Sequence, residues 1–416
     1  MRRLTLRERE ALVFGTPDGL SESEVAAFDR LAPSLPAGSL TWEYRSIRFG
    51  PFCGVLRVGN TTIELLPKVN GNENPEEARG LLVAMLRATG NLTVSNAGEA
   101  ALGQQKLHLL DQFILDFCVR VNAGLRGGAI TRYQDHEENL SALRGHLILT
   151  DHLRRNVFNQ AHLFCSFDER SIDNAYNSSL KAVLTYLQLQ AISAQTKATI
   201  GVLLHRFNDV SSRPTTPQEI ARLRFDRMIC EWEPVFERAK WLLQGLFPDV
   251  RSGEVDGTCL LFNMERLFES FLGVKLRQAW QITSEGRFRV VLQGPSKHLA
   301  ESDDGEAFKL RPDISVFNEQ GAVTIFDAKW KQLDSTAIAS SVSASDVYQL
   351  VSYASAYRCD RVALVYPAST KCKPGLLKSY RLKIPDTPIL EIHALDVWAL
   401  VQGGDIPREL GPPWKP

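Results

Sequence analysis

The chain has no cysteines at CxxC spacing, no long apolar run, no GxxxxGK[ST] string and no excess of either charge. Each absence removes a class of protein. Its seven cysteines, Cys53, Cys118, Cys165, Cys230, Cys259, Cys359 and Cys372, are scattered. They suit neither a zinc site nor a redox pair and point to buried thiols in a reducing, cytoplasmic setting. The longest charge-free helical stretch, Ala182 to Thr196, is rich in Gln and Ser, and the basic start MRRLTLRERE has no apolar segment behind it. Membrane spanning and secretion are therefore not expected. Lys plus Arg and Asp plus Glu both number 48, so global charge gives no pull toward nucleic acid or anionic lipid, and any such binding needs a local patch. Without the Gly-rich phosphate loop, the chain has no such nucleotide cradle of its own.

What remains is an ordinary globular composition, 44% apolar and 23% charged over 416 residues, long enough for two or three domains. Ser39 to Val69 reads as short strands punctuated by Gly50-Pro51 and Gly59-Asn60, a small β-rich module. After the polar loop Asn70 to Asn74, Pro75-Glu76-Glu77 makes a good first helical turn, and the helix runs through Leu86. Leu110, Phe113, Ile114, Phe117 and Val121 have helical spacing within Leu107 to Leu125. Short extended pieces fill Ala129 to Asp168. Helical periodicity returns over Ile172 to Gln190 and Gln218 to Leu246, the latter kinked or broken at Pro234. The charged stretch Asp249 to Gly257 reads as a linker. Beyond it come a helix over Asn263 to Trp280 and strands at Arg287–Gln293, Phe308–Phe317 and Ala322–Lys329. A helix over Asp346 to Tyr357 and a strand at Arg361–Pro367 follow, the order of an α/β domain with a mixed sheet. Ser335 to Ser345 reads as a mobile loop. The expectation is a multidomain α+β protein: a β-rich module (1–105), a mostly helical middle (106–250) and an α/β domain (251–416).

The chemistry gathers in the last part. In FKLRPDISVF, apolar and polar residues alternate, placing Asp313 on the polar face of a strand; in AVTIFDAKWK, Asp327 and Lys329 share one face and Phe326 and Ala328 the other. Two carboxylates and an ammonium on facing strands suit phosphodiester hydrolysis: carboxylates hold Mg²⁺ and the lysine orients or activates water. The same spacing also describes a hairpin with surface charges. Upstream, Met264, Leu267, Phe268, Phe271 and Leu272 form one helical stripe flanked by Glu265 and Glu269, either a solvated pair or, through Glu269, a further ligand. Downstream, Asp346, Gln349 and Tyr353 share a helical face suited to positioning a phosphate, although Tyr353 also suits simple packing.

The order Glu269, Pro312-Asp313, Asp327-Ala328-Lys329 and Gln349-Leu350-Val351-Ser352-Tyr353 resembles the PD-(D/E)xK nuclease core with the QxxxY helix of its RecB-like branch. More narrowly, NMERLFESFL, LRPDISVF, FDAKWK and DVYQLVSYASAY resemble the McrC family, the nuclease subunit of the McrBC modification-dependent restriction systems. GVLRVGNTTIELLPKV, LRGG with ITRYQ and LRGHL, and CSFDERSIDNAYNSSLKAVL agree. The resemblance covers about three quarters of the chain and is diffuse before Ser39. It implies a Mg²⁺-dependent endonuclease that cuts modified double-stranded DNA in phage defence, with 5-methylcytosine a candidate modification and the base itself not identified by the sequence. The metal would be held by Asp313, Asp327, Glu269 and the Ala328 carbonyl, with Lys329, Gln349 and Tyr353 at the reacting phosphate. It also implies a McrB-like AAA+ GTPase ring as partner, engaged and stimulated by the module of residues 1–105. Competing readings are a non-catalytic regulator of an AAA+ ring and a nuclease serving a different motor in repair or defence. Other features carry less. His146 and His152 match no metal spacing, and His136 and His298 read as solvated. Arg154-Arg155, beside Asn156 and Asn159, reads as a solvated or partner-facing surface. Trp330 and Lys331 suit either DNA contact or, for Trp330, burial.

Overall fold

The computed structural model describes residues 2–16, 19–58, 61–69, 74–91, 108–158, 161–246, 257–283 and 287–412. The chain divides into two compact units, Met1–Leu109 with Phe247–Pro416, and Leu110–Leu246. The two end segments of the sequence are thus one body. The N-terminal half of this unit contains β1 (Arg2–Arg7), β2 (Ala11–Val13), α1 (Glu22–Leu31), β3 (Leu40–Glu43) and β4 (Ser46–Phe49). It continues with β5 (Phe52–Val58), β6 (Thr61–Leu66) and α2 (Pro75–Ala88). The start of α2 follows from its sequence: Asn74 accepts the Glu77 amide at 2.8 Å, Glu77 accepts the Asn74 amide at 3.2 Å, and Pro75 occupies the first turn.

The second unit, by itself, is made of helices and a three-stranded sheet. It contains α3 (Leu109–Gly124, from its second residue), β7 (Arg132–Leu140), β8 (His146–Leu147), α4 (Leu149–Arg155) and β9 (Leu163–Ser171). The rest is α5 (Ala175–Gln190), α6 (Ala194–His205), α7 (Pro217–Arg222) and α8 (Glu233–Leu246). Its sheet has the order β7-β9-β8. The expected kink at Pro234 is a full break between α7 and α8, with Pro234 in the first turn of the second helix, where its missing N–H costs nothing.

The chain re-enters the first unit at β10 (Gly257–Asn263), which pairs antiparallel with β5 from Gly257↔Val58 to Asn263↔Phe52. The N-terminal sheet, in the order β1-β6-β5-β10, therefore takes its fourth strand from the C-terminal part. This corrects the expectation of a separate module ending near residue 105. Residues 249–256 of the expected linker lie outside the described residues, as do Gly59, Asn60, 70–73 and Asn159. Asn263 accepts the Arg266 amide at 3.0 Å and starts α9 (Met264–Thr283), whose stripe Met264, Leu267, Phe268, Phe271 and Leu272 is buried as its spacing predicts.

The C-terminal sheet is mixed and six-stranded, in the order β11 (Arg289–Leu292), β14 (Ile314–Asn318), β15 (Gly321–Ala328), β16 (Arg361–Pro367), β18 (Ile389–Leu395), β17 (Gly375–Arg381). Strands β15, β16 and β18 run parallel. The middle of that block, Val362 to Tyr366, is buried throughout, as parallel strands covered on both faces must be. Helix α11 (Ala344–Tyr357) follows α10 (Ile338–Ser341). Leu350, Tyr353 and Ala354 of α11 pack with Ile325 of β15 and Val362 and Leu364 of β16.

Two local expectations change. The stretch Phe308–Phe317 is not one strand: β12 (Lys297–Ser302) and β13 (Gly305–Leu310) form their own hairpin, and Arg311-Pro312-Asp313 separates β13 from β14. Pro312 has no N–H to give a ladder, and Phe308 sits at φ 57°. The segment Ser335 to Ser345 is ordered into a 3-10 turn, α10 and the Ser343-capped start of α11, with Val342 buried.

Candidate functional site

The end of β15 is the centre of the site. Asp327 lies opposite Leu364 of β16 and is 1% exposed. Two residues earlier, Ile325 packs beneath α11, so the alternation of the strand aims Asp327 at the same helix. The ladder runs one step past the strand, with the Lys329 amide donating to the Val365 carbonyl at 2.9 Å. Lys329 Nζ reaches Asp327 Oδ2 at 2.6 Å, Gln349 Oε1 at 3.5 Å and Asp346 Oδ1 at 3.9 Å.

Asp313 enters from the neighbouring strand as the residue before β14, and its Oδ2 accepts the Ala328 amide at 3.1 Å. Its place comes from the Pro312 break rather than from alternation along one strand; Ser315, expected on the polar face, is fully buried. From α9, Glu269 accepts a hydrogen bond from the Gln293 side chain. From α11, Gln349 Nε2 donates to Tyr353 Oη at 2.7 Å, and the Tyr353 hydroxyl donates to the Arg311 carbonyl at 3.1 Å, next to Pro312. The two loops and two helices that bear the site are thus tied together by side chains.

The electrostatics are those of carboxylates gathered away from water. Burial pushes Asp327 up to about 7, with the Asp313 charge adding to the rise and Lys329 opposing it. Burial also lifts Asp313 to about 6, reinforced by Glu269. Glu269 is raised by burial and by Asp327, against the Gln293 hydrogen bond. Burial alone would lower the Lys329 ammonium, but Asp327, Asp346 and Asp313 outweigh it and hold the group charged. Tyr353 is raised to about 12, chiefly by burial. Asp327 Oδ1 is buried with no hydrogen-bond partner, a desolvated acceptor that a cation would satisfy.

The structure therefore brings together Asp313, Asp327, Lys329, Glu269, Gln349, Tyr353 and Asp346. Ala328 joins through its N–H. Glu265 points away and pairs with Arg9 at 3.6 Å. Trp330 is buried, its ring 5.3 Å from that of Phe268, and Lys331 Nζ donates to the Ser341 carbonyl at 3.0 Å. The imidazoles expected to be solvated have partners: His136 stacks on Phe167, and His298 Nδ1 lies 2.7 Å from Glu306. Asn156 is buried, exchanging amide hydrogen bonds with Asn139 at 2.9 and 2.7 Å. Sequence reasoning missed Gln293, which holds Glu269, and Tyr366 of β16, whose hydroxyl is pushed up chiefly by burial, with Asp346 and Asp327 adding to the rise. Neither has a local motif that marks it.

A mixed sheet whose central strand delivers a buried carboxylate and a lysine to carboxylates from the next strand and a helix defines a protein that concentrates negative charge around one ammonium at a sheet end. The chain belongs to the family described as McrBC 5-methylcytosine restriction system component, whose model matches residues 47–367. The McrC resemblance of its motifs is thereby borne out. The fold is similar to a chain of a refined half-complex from a tetradecameric assembly of Thermococcus gammatolerans McrB AAA+ hexamers with bound McrC, at TM-score 0.72 and 15% identity over 94% of each chain. It is also similar to a chain of the cryo-EM structure of the Thermococcus gammatolerans McrBC complex, at TM-score 0.53 and 20% identity, covering 65% of this chain and 86% of that one. No curated protein matches the chain.

Proposed function

We propose that this chain is the Mg²⁺-dependent DNA endonuclease subunit of a McrBC-type restriction system, with a PD-(D/E)xK site formed by Asp313, Asp327 and Lys329. The observation that carries the reading is the convergence of these three groups, with Asp327 buried and one of its oxygens unpartnered. Family membership supports the restriction-system role.

The donor set suits a hard cation: Asp313, Asp327 and Glu269 offer carboxylate oxygens, and the Ala328 carbonyl is an expected fourth donor. Among the described residues no three His, Cys, Asp or Glu side chains stand placed to hold a cation together, so Asp313, Asp327 and Glu269 would have to draw closer to share one. Lys329 and the Gln293 amide engage Asp327 and Glu269 instead. When bound, Mg²⁺ would polarise the scissile phosphate and stabilise the leaving oxygen. The residues themselves do the rest. Asp327 and Asp313 shed protons near neutral pH and become acceptors. Lys329, held charged by Asp327, offers N–H donors to a phosphate oxygen or a water. Gln349, between Lys329 and Tyr353, fixes the direction of the ammonium.

The solved relatives are named for McrB AAA+ hexamers and bound McrC, which supports a McrB-like AAA+ GTPase ring as partner and the stimulation of its GTPase as a second role. The ring contact expected of residues 1–105 loses its basis in a free-standing module, since that sheet shares a strand with the site-bearing half. The second unit offers a better surface: Leu149, Leu153 and Val157 recur every fourth residue along and just past α4, all exposed, and Phe158 beside them is fully so. The reading is tested by combining the purified chain with its ring partner, Mg²⁺, GTP and 5-methylcytosine-containing DNA. Cleavage by wild type and none by Asp327→Asn is expected; equal cleavage by both rejects the site.

A further inference from the structure

Glu8 is a carboxylate far from the site in sequence and 2% exposed. It continues β1 past its last residue, its amide donating to the Leu66 carbonyl at 2.9 Å. Its Oε1 accepts two hydrogen bonds: from the Lys68 amide at 3.0 Å and from the Trp330 indole Nε1 at 2.6 Å. Its Oε2 is buried without a hydrogen-bond partner. Two residues beyond Trp330, the Gln332 amide donates to the carbonyls of Lys68, at 3.1 Å, and Val69, at 2.5 Å. Both side chains that follow Lys329 on this face are therefore clamped to one turn of the N-terminal sheet. The Trp330 ring also lies against Phe268, the neighbour of Glu269 on α9.

A buried carboxylate is costly, and apolar packing would have held these elements together without it. What an apolar contact does not supply is direction. The short hydrogen bond that the fixed indole N–H donates to an ionisable acceptor sets the orientation of the residue next to Lys329. We propose that Glu8 is a positioning residue for the cleavage site, acting through Trp330 to hold the exit of β15 so that Lys329 and Asp327 keep their 2.6 Å geometry and Glu269 its distance from them. This rests on the nuclease reading above and extends it: the N-terminal sheet is part of the site's scaffold.

The test uses the full chain with its ring partner. Glu8→Ala and Trp330→Phe are each expected to lower kcat for DNA cleavage about tenfold at unchanged KM, the scale of losing a group that orients a ligand. The double variant is no worse than either single one, and Glu8→Gln, which keeps an oxygen for the indole, recovers most of the rate. Trp330→Phe keeps the ring on Phe268 and guards against loss of folding in Glu8→Ala. Leu31→Ala, a core truncation in α1, serves as the stability control: it lowers the melting temperature and leaves kcat per folded molecule unchanged. Amide hydrogen exchange over residues 326–334, read without DNA, is expected to quicken in Glu8→Ala and not in Leu31→Ala. Unchanged exchange there, an additive double variant, or an equal kcat loss in Leu31→Ala overturns the proposal. Should Asp327→Asn cut like wild type, the nuclease reading falls instead, and the exchange result alone decides whether Glu8 anchors this segment.

Discussion

The amide of Ala328 donates to Asp313 Oδ2 at 3.1 Å, so the peptide between Asp327 and Lys329 holds the carboxylate of the adjacent strand. Ala328 itself is buried, on the face opposite to that of its two neighbours. One residue thus spaces Asp327 from Lys329 and sets the distance between two carboxylates, using only backbone. The contact needs only an N–H, and the side chain needs only to fit the core.

Asp327→Asn is expected to reduce cleavage by about two to three orders of magnitude, because it removes a buried charge from the group that would hold the cation. Folding should survive. The amide is nearly isosteric, and the change removes a charge that burial and Asp313 already disfavour. Cleavage assays beside thermal melting of the metal-free chain check both halves.

Lys329→Met should separate binding from turnover. The cation ligands stay, so titration with Mn²⁺ should still show a bound ion, while cleavage falls at least about a hundredfold for want of a donor at the phosphate. Loss of Mn²⁺ binding would show instead that Lys329 is needed to organise Asp327.

Gln349→Ala breaks the link from Lys329 Nζ to Tyr353 Oη, and a drop in cleavage of about tenfold is expected, with ring binding unchanged. Tyr353→Phe removes the hydroxyl that donates to the Arg311 carbonyl. It should cost about 1 kcal/mol of stability and loosen the Pro312 turn. A fully active Gln349→Ala chain would show that α11 only packs.

Much of this site was legible because its parts follow short-range rules. The i, i+2 rule of a strand paired Asp327 with Lys329, and the i, i+4 rule of a helix paired Gln349 with Tyr353. The stripe on α9 located Glu269, but spacing alone allowed a solvated pair with Glu265 equally well; Arg9, 256 positions away, is what pairs with Glu265. Alternation places Asp313 within a strand, whereas Pro312 ends one strand before another begins and Asp313 lies between them. The partnership of β10 with β5 and of Glu8 with Trp330 joins segments roughly two hundred residues or more apart. No periodicity reports contacts at that range, so the sequence alone presents the N-terminal module as separate.

Stability should fall with rising pH in the absence of a divalent cation. Burial lifts Glu8 to about 7, Asp313 to about 6 and Asp327 to about 7, all above their unfolded values. An acid whose folded value is raised keeps its proton longer in the native state. Its favourable contribution is whole below the unfolded pKa and is lost as pH rises toward the folded one. Melting temperature of the metal-free chain should therefore decline between about pH 4 and 7, more than in Asp327→Asn, and added Mg²⁺ should offset the decline at the upper end. A flat profile would show that these carboxylates are ionised in the native state throughout.

A fragment of residues 1–105 should not behave as a partner-binding module. It retains β5, whose residues are nearly all buried, but lacks β10, the strand that covers its edge. It also lacks Trp330 and Gln332, which satisfy Glu8 and the carbonyls of Lys68 and Val69. An uncovered, apolar edge strand beside an unsatisfied buried carboxylate favours aggregation over folding. Residues 110–246 form a compact unit of their own and are the better fragment to express. If they carry the ring contact through the exposed stripe on α4, they should bind the AAA+ partner in pull-down, and Leu153→Asp with Phe158→Asp should abolish that binding without lowering their melting temperature. Binding and GTPase stimulation by a soluble, monomeric 1–105 fragment would return the contact to the N-terminal sheet and require that β5 tolerate a bare edge.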